Sequence, residues 1–203
     1  MDGDMAAPGL TRYAALFVDV PNICTRGDRE LGTVERLDVS RIDWPALFSL
    51  MLDSLGHDRV ECIGTAYAFA APSLSQEPEG LKEALLNSIG DYRGKVSVVS
   101  SDKDIDALIV GDIWESLVKL SQMQYAVGRP FPHEATVLLA GGDGGYVRAI
   151  RQIRRTFGDL LDLRVHTFSW RARLSGKLSF ESQFVRKLDH CDLILPIREA
   201  LRA

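Results

Sequence analysis

Cysteine is scarce and scattered in this chain: Cys24, Cys62 and Cys191 stand far apart, with no CxxC and no histidine pair beside them. That excludes a disulfide framework and a zinc site of the usual spacing, and it suits a reducing cytoplasm. Long apolar runs are missing too. No stretch approaches the roughly 18 residues of a membrane-spanning helix. The acidic opening "MDGDMAAPGLTRY" has no apolar core of the kind a signal peptide needs. The expected location is therefore cytoplasmic, away from any membrane. Positive charge is not in excess, since 24 Lys and Arg face 28 Asp and Glu for a formal net charge of −4. This excludes a basic coat over the whole surface but leaves room for one basic face. Repeats and low-complexity tracts are absent. The four histidines (His57, His133, His166, His190) form no pattern, and none is assigned a catalytic role.

What the chain has is apolar patterning. Its 203 residues are 46% hydrophobic, enough for one well-buried domain over residues 12–198, with a flexible N-terminus at 1–11 and a short tail at 199–203. Continuous apolar runs occur at "AALFVDV" (14–20), "RVECIGTAYAF" (59–69), "KVSVVS" (95–100), "ATVLLAGG" (135–142), "LRVHTFSW" (163–170) and "DLILPI" (192–197). Continuous rather than alternating runs suit parallel strands covered on both faces. Between them, helical spacing recurs in "DWPALFSLMLDSLG", capped by Asp43 and stopped at Gly56, and in "PEGLKEALLNSIGDY". It recurs again in "DIDALIVGDIWESLVKLSQMQ" and in "GYVRAIRQIRRTFG", ended by Gly158. Alternating strands and helices predict a three-layer α/β/α sandwich around a mainly parallel sheet. The polar stretch 25–41 and the Pro-containing stretch 127–134 are expected as mobile borders of a site. The apolar "YAFAAPSL" edge (67–74) is where a second copy or a partner protein would pair.

Ligands of parallel α/β sheets bind at the carboxyl ends of the strands, and acids gather there. Asp19 ends the first run, with Asn22 three residues on. "SDKDIDALIVGD" follows the third run with Asp102, Asp104, Asp106 and Asp112. Asp143 follows "ATVLLAGG". Each has a structural reading: Asp19 capping a turn, Asp102 or Asp104 capping the helix near Ile105, Asp143 serving a turn in "GGDGG". Together they form a like-charge cluster, costly unless a cation sits among them. Hard oxygen donors suit Mg²⁺ or Mn²⁺.

"FVDVPNI", "KDIDALIVGDI", "VLLAGGDGGYVRAIRQIRR" and "CDLILPI", in that order, resemble the NYN domain, the LabA-like branch of the PIN-like nucleases. The resemblance spans about residues 12–198. It implies a PIN-like fold and a divalent-metal-dependent ribonuclease in which Mg²⁺ or Mn²⁺ activates water against a phosphodiester. Asp19 matches the first metal-coordinating acid, Asn22 its supporting Asn, and Asp106 the acid of the K-G-x-D motif with Lys103 as its lysine. Asp112 matches the downstream helix acid and Asp143 the first acid of S-G-D-x-D-[FY]. The resemblance thus implies Asp19, Asp106 and Asp143 as metal ligands, with Asn22 and Asp112 in support. The chain departs from the pattern at two positions: Asp104 replaces the usual Gly, and Gly145 stands where the second acid of S-G-D-x-D would be.

Positive charge concentrates downstream. With Val147, Ile150, Ile153 and Phe157 facing a sheet, Arg148, Arg151, Arg154 and Arg155 fall on or beside the solvent face, and Arg171, Arg173 and Lys177 follow. Lys103, Arg148, Arg151, Arg155, Arg171 and Arg173 are the candidate nucleic-acid contacts, with RNA, single-stranded or structured, as the expected partner. A solvated helix face with acid partners elsewhere is the plain alternative. In "SWRARLSGKLSFES" (169–182), read as a substrate-contacting loop, aromatics either stack on bases or pack in the core, the latter being the reading for Phe180. The rival to an endoribonuclease is a degenerate NYN domain that binds RNA or a protein without cutting. Asp-x-Asp in "DKDID" also occurs in Toprim-type sites, which want an upstream Glu where this chain has Asp19. A haloacid-dehalogenase-like phosphatase is disfavoured because its second acid would fall on Pro21.

Overall fold

The computed structural model describes residues 12–28, 33–56, 60–69, 81–89, 96–101, 104–127, 133–159 and 161–195. Strand β1 (Arg12–Asp19) runs into a one-turn helix, α1 (Val20–Ile23), and then into an antiparallel hairpin, β2 (Thr25–Asp28) with β3 (Thr33–Arg36). There follow α2 (Trp44–Asp53), β4 (Val60–Phe69), α3 (Leu81–Ile89), β5 (Val96–Ser101) and the long α4 (Ile105–Val127). The chain then alternates through β6 (His133–Ala140), α5 (Tyr146–Phe157), β7 (Leu161–Ser169), α6 (Gly176–Glu181) and β8 (Phe184–Lys187).

Six strands form one parallel sheet in the order β5-β4-β1-β6-β7-β8. The apolar run of β1 is buried on both faces, as a central parallel strand requires. Ala14, Leu16 and Val18 pack toward α2 and α3, while Ala15 and Phe17 pack toward α4 and α5. Each buried Leu, Ile or Phe contributes about 2 kcal/mol, so two cores cover the sheet and make the expected α/β/α sandwich. In α2, Asp43 accepts a hydrogen bond from the Ala46 amide at 3.0 Å as N-cap, and Gly56, at φ 76°, turns the chain away after the helix.

From β1 the chain builds outward through β4 and β5, returns to β6 on the other flank of β1, and builds outward again through β7 and β8. The carboxyl ends of β1 and β6 therefore bound the switch point in strand order, where a doubly wound sheet opens a crevice.

Two local expectations, the strand at 192–197 and the loop at 169–182, are corrected. "DLILPI" is no sheet strand over its described part: Ile194 makes one antiparallel bridge to Ile42, and Leu193 is buried against the α2 side. Its backbone is taken by the segment preceding α2, with Asp43 N–H donating to the Leu193 carbonyl at 2.8 Å and Leu195 N–H to that of Arg41 at 2.9 Å. The sixth strand is instead β8, and the expected loop at 169–182 contains α6. The stretch 25–41 holds the β2–β3 hairpin and a 3-10 turn at Val39–Arg41 around residues 29–32, which lie outside the described residues. Residues 128–132 of the other expected border, and 70–74 of the apolar edge, also lie outside them. No helix among the described residues is long and apolar enough to cross a membrane.

Candidate active site

Strand alternation aims Asp19 at the same layer as Phe17, toward α4 and α5. Its side chain is only 5% exposed. Both readings of this residue hold at once. Oδ1 caps α1 by accepting from the Asn22 amide at 3.0 Å, and Oδ2 accepts from the Tyr146 hydroxyl at 2.9 Å. The same hydroxyl lies 2.7 Å from Oδ1 of Asp106, in the first turn of α4. Thus Tyr146, fully buried at the start of α5, brings together two acids from the end of β1 and the start of α4.

Asn22 supports the site differently from the expectation. Its backbone, not its side chain, holds Asp19. Its side-chain carbonyl accepts from the Gly142 amide at 3.1 Å and so pins the end of β1 to the loop after β6. Within that loop Gly142 must be glycine and Gly141 is closely packed. A Cβ on Gly142 would collide with the Ser169 hydroxyl and stand 2.5 Å from the Arg173 carbonyl, while one on Gly141 would press on Asp19 Cβ at 3.3 Å. Asp143 projects from it, exposed, and accepts from the Gly145 amide at 2.8 Å, which is the turn role. Its carboxylate nevertheless belongs to the cluster. A Cβ on Gly145 would lie 3.3 Å from Asp106 Oδ2 and 3.5 Å from Asp143 Oδ1, so the residue in place of the fourth acid sits between those two.

The electrostatics follow from this crowding. Burial, opposed by the Asn22 and Tyr146 hydrogen bonds and reinforced by the charges of Asp106 and Asp143, pushes the Asp19 pKa up to about 6. Burial also raises that of Asp106, against the Tyr146 bond and with the charges of Asp143 and Asp104. Tyr146 is held far above its ordinary value by burial and then by the two carboxylates, so it stays a protonated donor. Among the described residues, the charges acting on Asp19 and Asp106 are all negative.

The remaining candidates divide. Asp104 caps α4, accepting from the Asp106 and Ala107 amides at 3.1 and 3.4 Å. Asp112 lies six residues beyond Asp106, about 9 Å along the axis, and is not among the charges that act on Asp106 or Asp19. Lys103 and Asp102 lie outside the described residues. Cys24 is buried, its thiol pushed up to about 12 by burial, and it packs as a small apolar group rather than a nucleophile. Tyr146 was not among the residues expected from sequence, although it occupies the aromatic position of the S-G-D-x-D-[FY] pattern.

Helix α5 buries Val147, Ile150, Ile153 and Phe157 as expected. Its outer face and α6 border an open groove of about 460 Å³ lined by Gly144, Val147, Arg148, Arg151, Gln152, Arg155 and Lys177. Gly144 is flanked by Asp143 and Gly145, so the groove begins at the lip of the acid cluster. Glu181 engages Arg151 at 2.7 Å and Arg154 at 2.9 Å. Arg148, Arg155 and Lys177 are exposed, with no ion pair among the described residues. Arg171 and Arg173 are exposed on the turn after β7, which is tied to the acid loop by the Ser175 amide donating to the Gly142 carbonyl at 2.8 Å. Of the aromatics here, Trp170 is buried, with its indole N–H donating to the Ile23 carbonyl at 2.7 Å, whereas Phe180, expected in the core, is 85% exposed.

The donor chemistry of the cluster, carboxylates drawn into a partly desolvated place without a cationic side chain among the described residues, fits a hard divalent cation. Its present geometry is less complete: among the described residues, no three His, Cys, Asp or Glu side chains are arranged to hold a metal ion. The phenol of Tyr146 stands between two of the acids, and Asp143 is engaged in its turn.

No protein-family model and no curated protein matches the chain. Among solved structures, a crystal structure of a protein of unknown function from Vibrio parahaemolyticus is similar. It has a TM-score of 0.52 and 17% identity, over 94% of this chain and all of that one. The likeness extends to the fold alone.

Proposed function

We propose that the chain is a divalent-metal-dependent endoribonuclease of the NYN, PIN-like type, acting in the cytoplasm. The observation that carries this reading is the adjacency of two opposite electrostatic features. A cluster of carboxylates at the switch point of the sheet, running from buried Asp19 through half-buried Asp106 to exposed Asp143, has no cationic partner among the described residues, and it opens beside a groove bearing Arg148, Arg151, Arg155 and Lys177. An acid cluster alone is explained by turns and caps, and a basic helix face alone by solvation. Side by side they suit a polyanion whose phosphates lie along α5 while one phosphodiester is presented to the acids.

On this reading Asp19 and Asp106 hold the cation, with Asp143 flanking them across Gly145. Bound Mg²⁺ or Mn²⁺ supplies Lewis-acid stabilisation of the charge that develops on the phosphate. Asn22 fixes the carboxyl end of β1 to the Gly142 amide and so keeps Asp19 and the Asp143 loop in register. Arg148, Arg155 and Lys177 bind phosphate, whereas Arg151 shares its charge with Glu181.

Gly145 and the absence of a ready three-ligand arrangement among the described residues favour the second reading, a degenerate domain that binds RNA without cutting it. Labelled single-stranded RNA incubated with Mn²⁺ or Mg²⁺ separates the two. The enzyme reading expects cleavage by wild type, loss of at least a hundredfold in rate with Asp19→Asn or Asp106→Asn, and arrest by EDTA. Retained RNA binding with no cleavage by wild type establishes the binding module instead.

A further inference from the structure

We infer that Phe180 is a base-stacking platform beside the basic groove of α5 and α6, and that the groove accordingly takes single-stranded RNA in preference to a duplex. The inference rests on the RNA-binding part of the proposed function and on no metal.

Phe180 is 85% exposed, more than any other large apolar side chain among the described residues. A lone exposed apolar residue needs no function, so its placement carries the argument. Lys177, three residues earlier in α6, lines the groove. Residues three apart are neighbours on a helix surface. Both of these side chains are exposed, whereas Leu178 is buried in the α4–α5 layer and Glu181 is turned toward α5. The outer face of α6 thus sets an aromatic ring one turn beyond a cation of the groove. The ring also stands on a braced support. The Glu181 carboxylate accepts from Arg151 at 2.7 Å and from Arg154 at 2.9 Å, and Arg154 donates again to the Glu181 carbonyl at 2.7 Å. These bonds clamp the end of α6 to α5, the helix that carries Arg148 and Arg155.

The surrounding charge selects the occupant. Arg148, Arg155 and Lys177 line the groove, so a polyanion is complementary to it. A polyanion that brings phosphates to these cations and a ring face to Phe180 is a nucleic acid with unpaired bases. In an A-form duplex the bases are stacked on one another, and proteins meet phosphates and 2′-hydroxyls instead. A protein partner is disfavoured, because the centre of a protein interface is apolar and depleted of charge, and here a single ring adjoins a cationic groove.

The test is fluorescence anisotropy of the full chain in EDTA, with a labelled, unstructured single-stranded RNA and with the same RNA annealed to its complement. Wild type is compared with Phe180→Ala, Phe180→Leu and Phe180→Tyr. Stacking of one base on an aromatic side chain is worth about 5- to 150-fold in affinity. The expected result is tighter binding of the single strand than of the duplex by wild type, and single-strand binding at least fivefold weaker in Phe180→Ala. Phe180→Leu, which keeps apolar bulk without a ring face, should weaken it as much, and Phe180→Tyr should stay within threefold of wild type. Duplex affinity and the salt slope should hold in all three, because the ring neutralises no phosphate. Smaller weakening in Phe180→Ala or Phe180→Leu, a larger loss in Phe180→Tyr, equal weakening on the duplex, a changed salt slope or a wild type that prefers the duplex overturns the inference. Each of these leaves RNA binding by the groove standing. Loss of self-association in place of RNA binding in Phe180→Ala marks a protein contact and likewise overturns it. A wild type that binds neither RNA overturns both readings. Should Phe180→Ala fail to fold, the contrast between Phe180→Leu and Phe180→Tyr decides.

Discussion

Asp19→Asn should make the metal-free protein more stable at neutral pH. Asp19 is 5% exposed, and its pKa is raised from 3.8 to about 6, first by burial. The folded chain therefore binds this proton more tightly than the unfolded chain. The favourable contribution is complete below the unfolded value of 3.8 and is lost as pH rises through about 6. At about 1.36 kcal/mol per pKa unit, the ionised side chain carries a penalty of about 3 kcal/mol at pH 7. Asparagine is the neutral counterpart of the protonated acid: its carbonyl still accepts from the Asn22 amide, and its amide group can donate to the Tyr146 oxygen. The substitution should thus add about 3 kcal/mol at pH 7, or about 6–12 °C in Tm for a chain of this size, and nothing below pH 4.

Urea unfolding followed by circular dichroism, in EDTA at pH 3.5, 5, 6 and 7.5, measures the gap directly. Wild type should fall toward neutrality while the variant stays flatter, and Asp106, raised in the same direction, adds slope of the same sign to both. Added Mn²⁺ should then restore wild type and leave the variant unmoved. A variant no more stable than wild type at pH 7, or a gap that persists in acid, would refute the reasoning, because burial of the charge would then not govern the stability of the site.

Two further outcomes follow from the geometry around the acids. Gly142→Ala should cost about 3 kcal/mol, measured by the same urea assay, because its Cβ would meet the fixed Arg173 carbonyl at 2.5 Å as well as the Ser169 hydroxyl; a neutral effect would mean the loop yields freely. Combining Arg148→Ala, Arg155→Ala and Lys177→Ala should flatten the salt dependence of single-stranded RNA binding by a slope of about 2, at about 0.7 for each phosphate no longer neutralised. Fluorescence anisotropy in EDTA across a KCl series reads this, and an unchanged slope would place the RNA elsewhere.

The parts of the fold legible in the sequence are those whose signal is local. β1, α2 and α5 follow from an apolar run, an Asp43 cap and a 3.6-residue repeat, each contained in a dozen residues. β8 was illegible because "FVRK" is an edge strand with mostly exposed side chains. "DLILPI" misled because an apolar run reads as a strand, yet over its described part only Leu193 is buried, against the α2 side, and Ile194 bridges to the segment before α2. The site divides in the same way. Asp19 and Asp143 stand out because an acid following an apolar run contradicts its surroundings, and Asp106 because it sits beside Ile105, Ala107 and Leu108 in a first helical turn. Tyr146 does not, since an aromatic beside Val147 in a first helical turn looks like core, and its partners are 127 and 40 residues away. The neutralisation of Arg151 by Glu181, across 30 residues, is equally invisible to periodicity.

The two halves of the proposed site cannot act independently. Without a cation, the carboxylates of Asp19, Asp106 and Asp143 repel any phosphate that approaches from the groove, and the attraction of Arg148, Arg155 and Lys177 must work against that repulsion. On the proposed reading a divalent cation offsets it, so metal and RNA are each expected to bind better in the presence of the other, by the same factor. The glycine loop is what allows so short a distance between the opposing fields. Gly141 and Gly142 let the loop pack against Asp19 and the turn after β7, and Gly144 carries the groove up to Asp143. Gly145 has an ordinary helical backbone at φ −58° and ψ −35°, so no conformational demand explains its lack of a side chain. Its consequence is electrostatic: one negative charge fewer between Asp106 and Asp143, where the basic groove meets the acids.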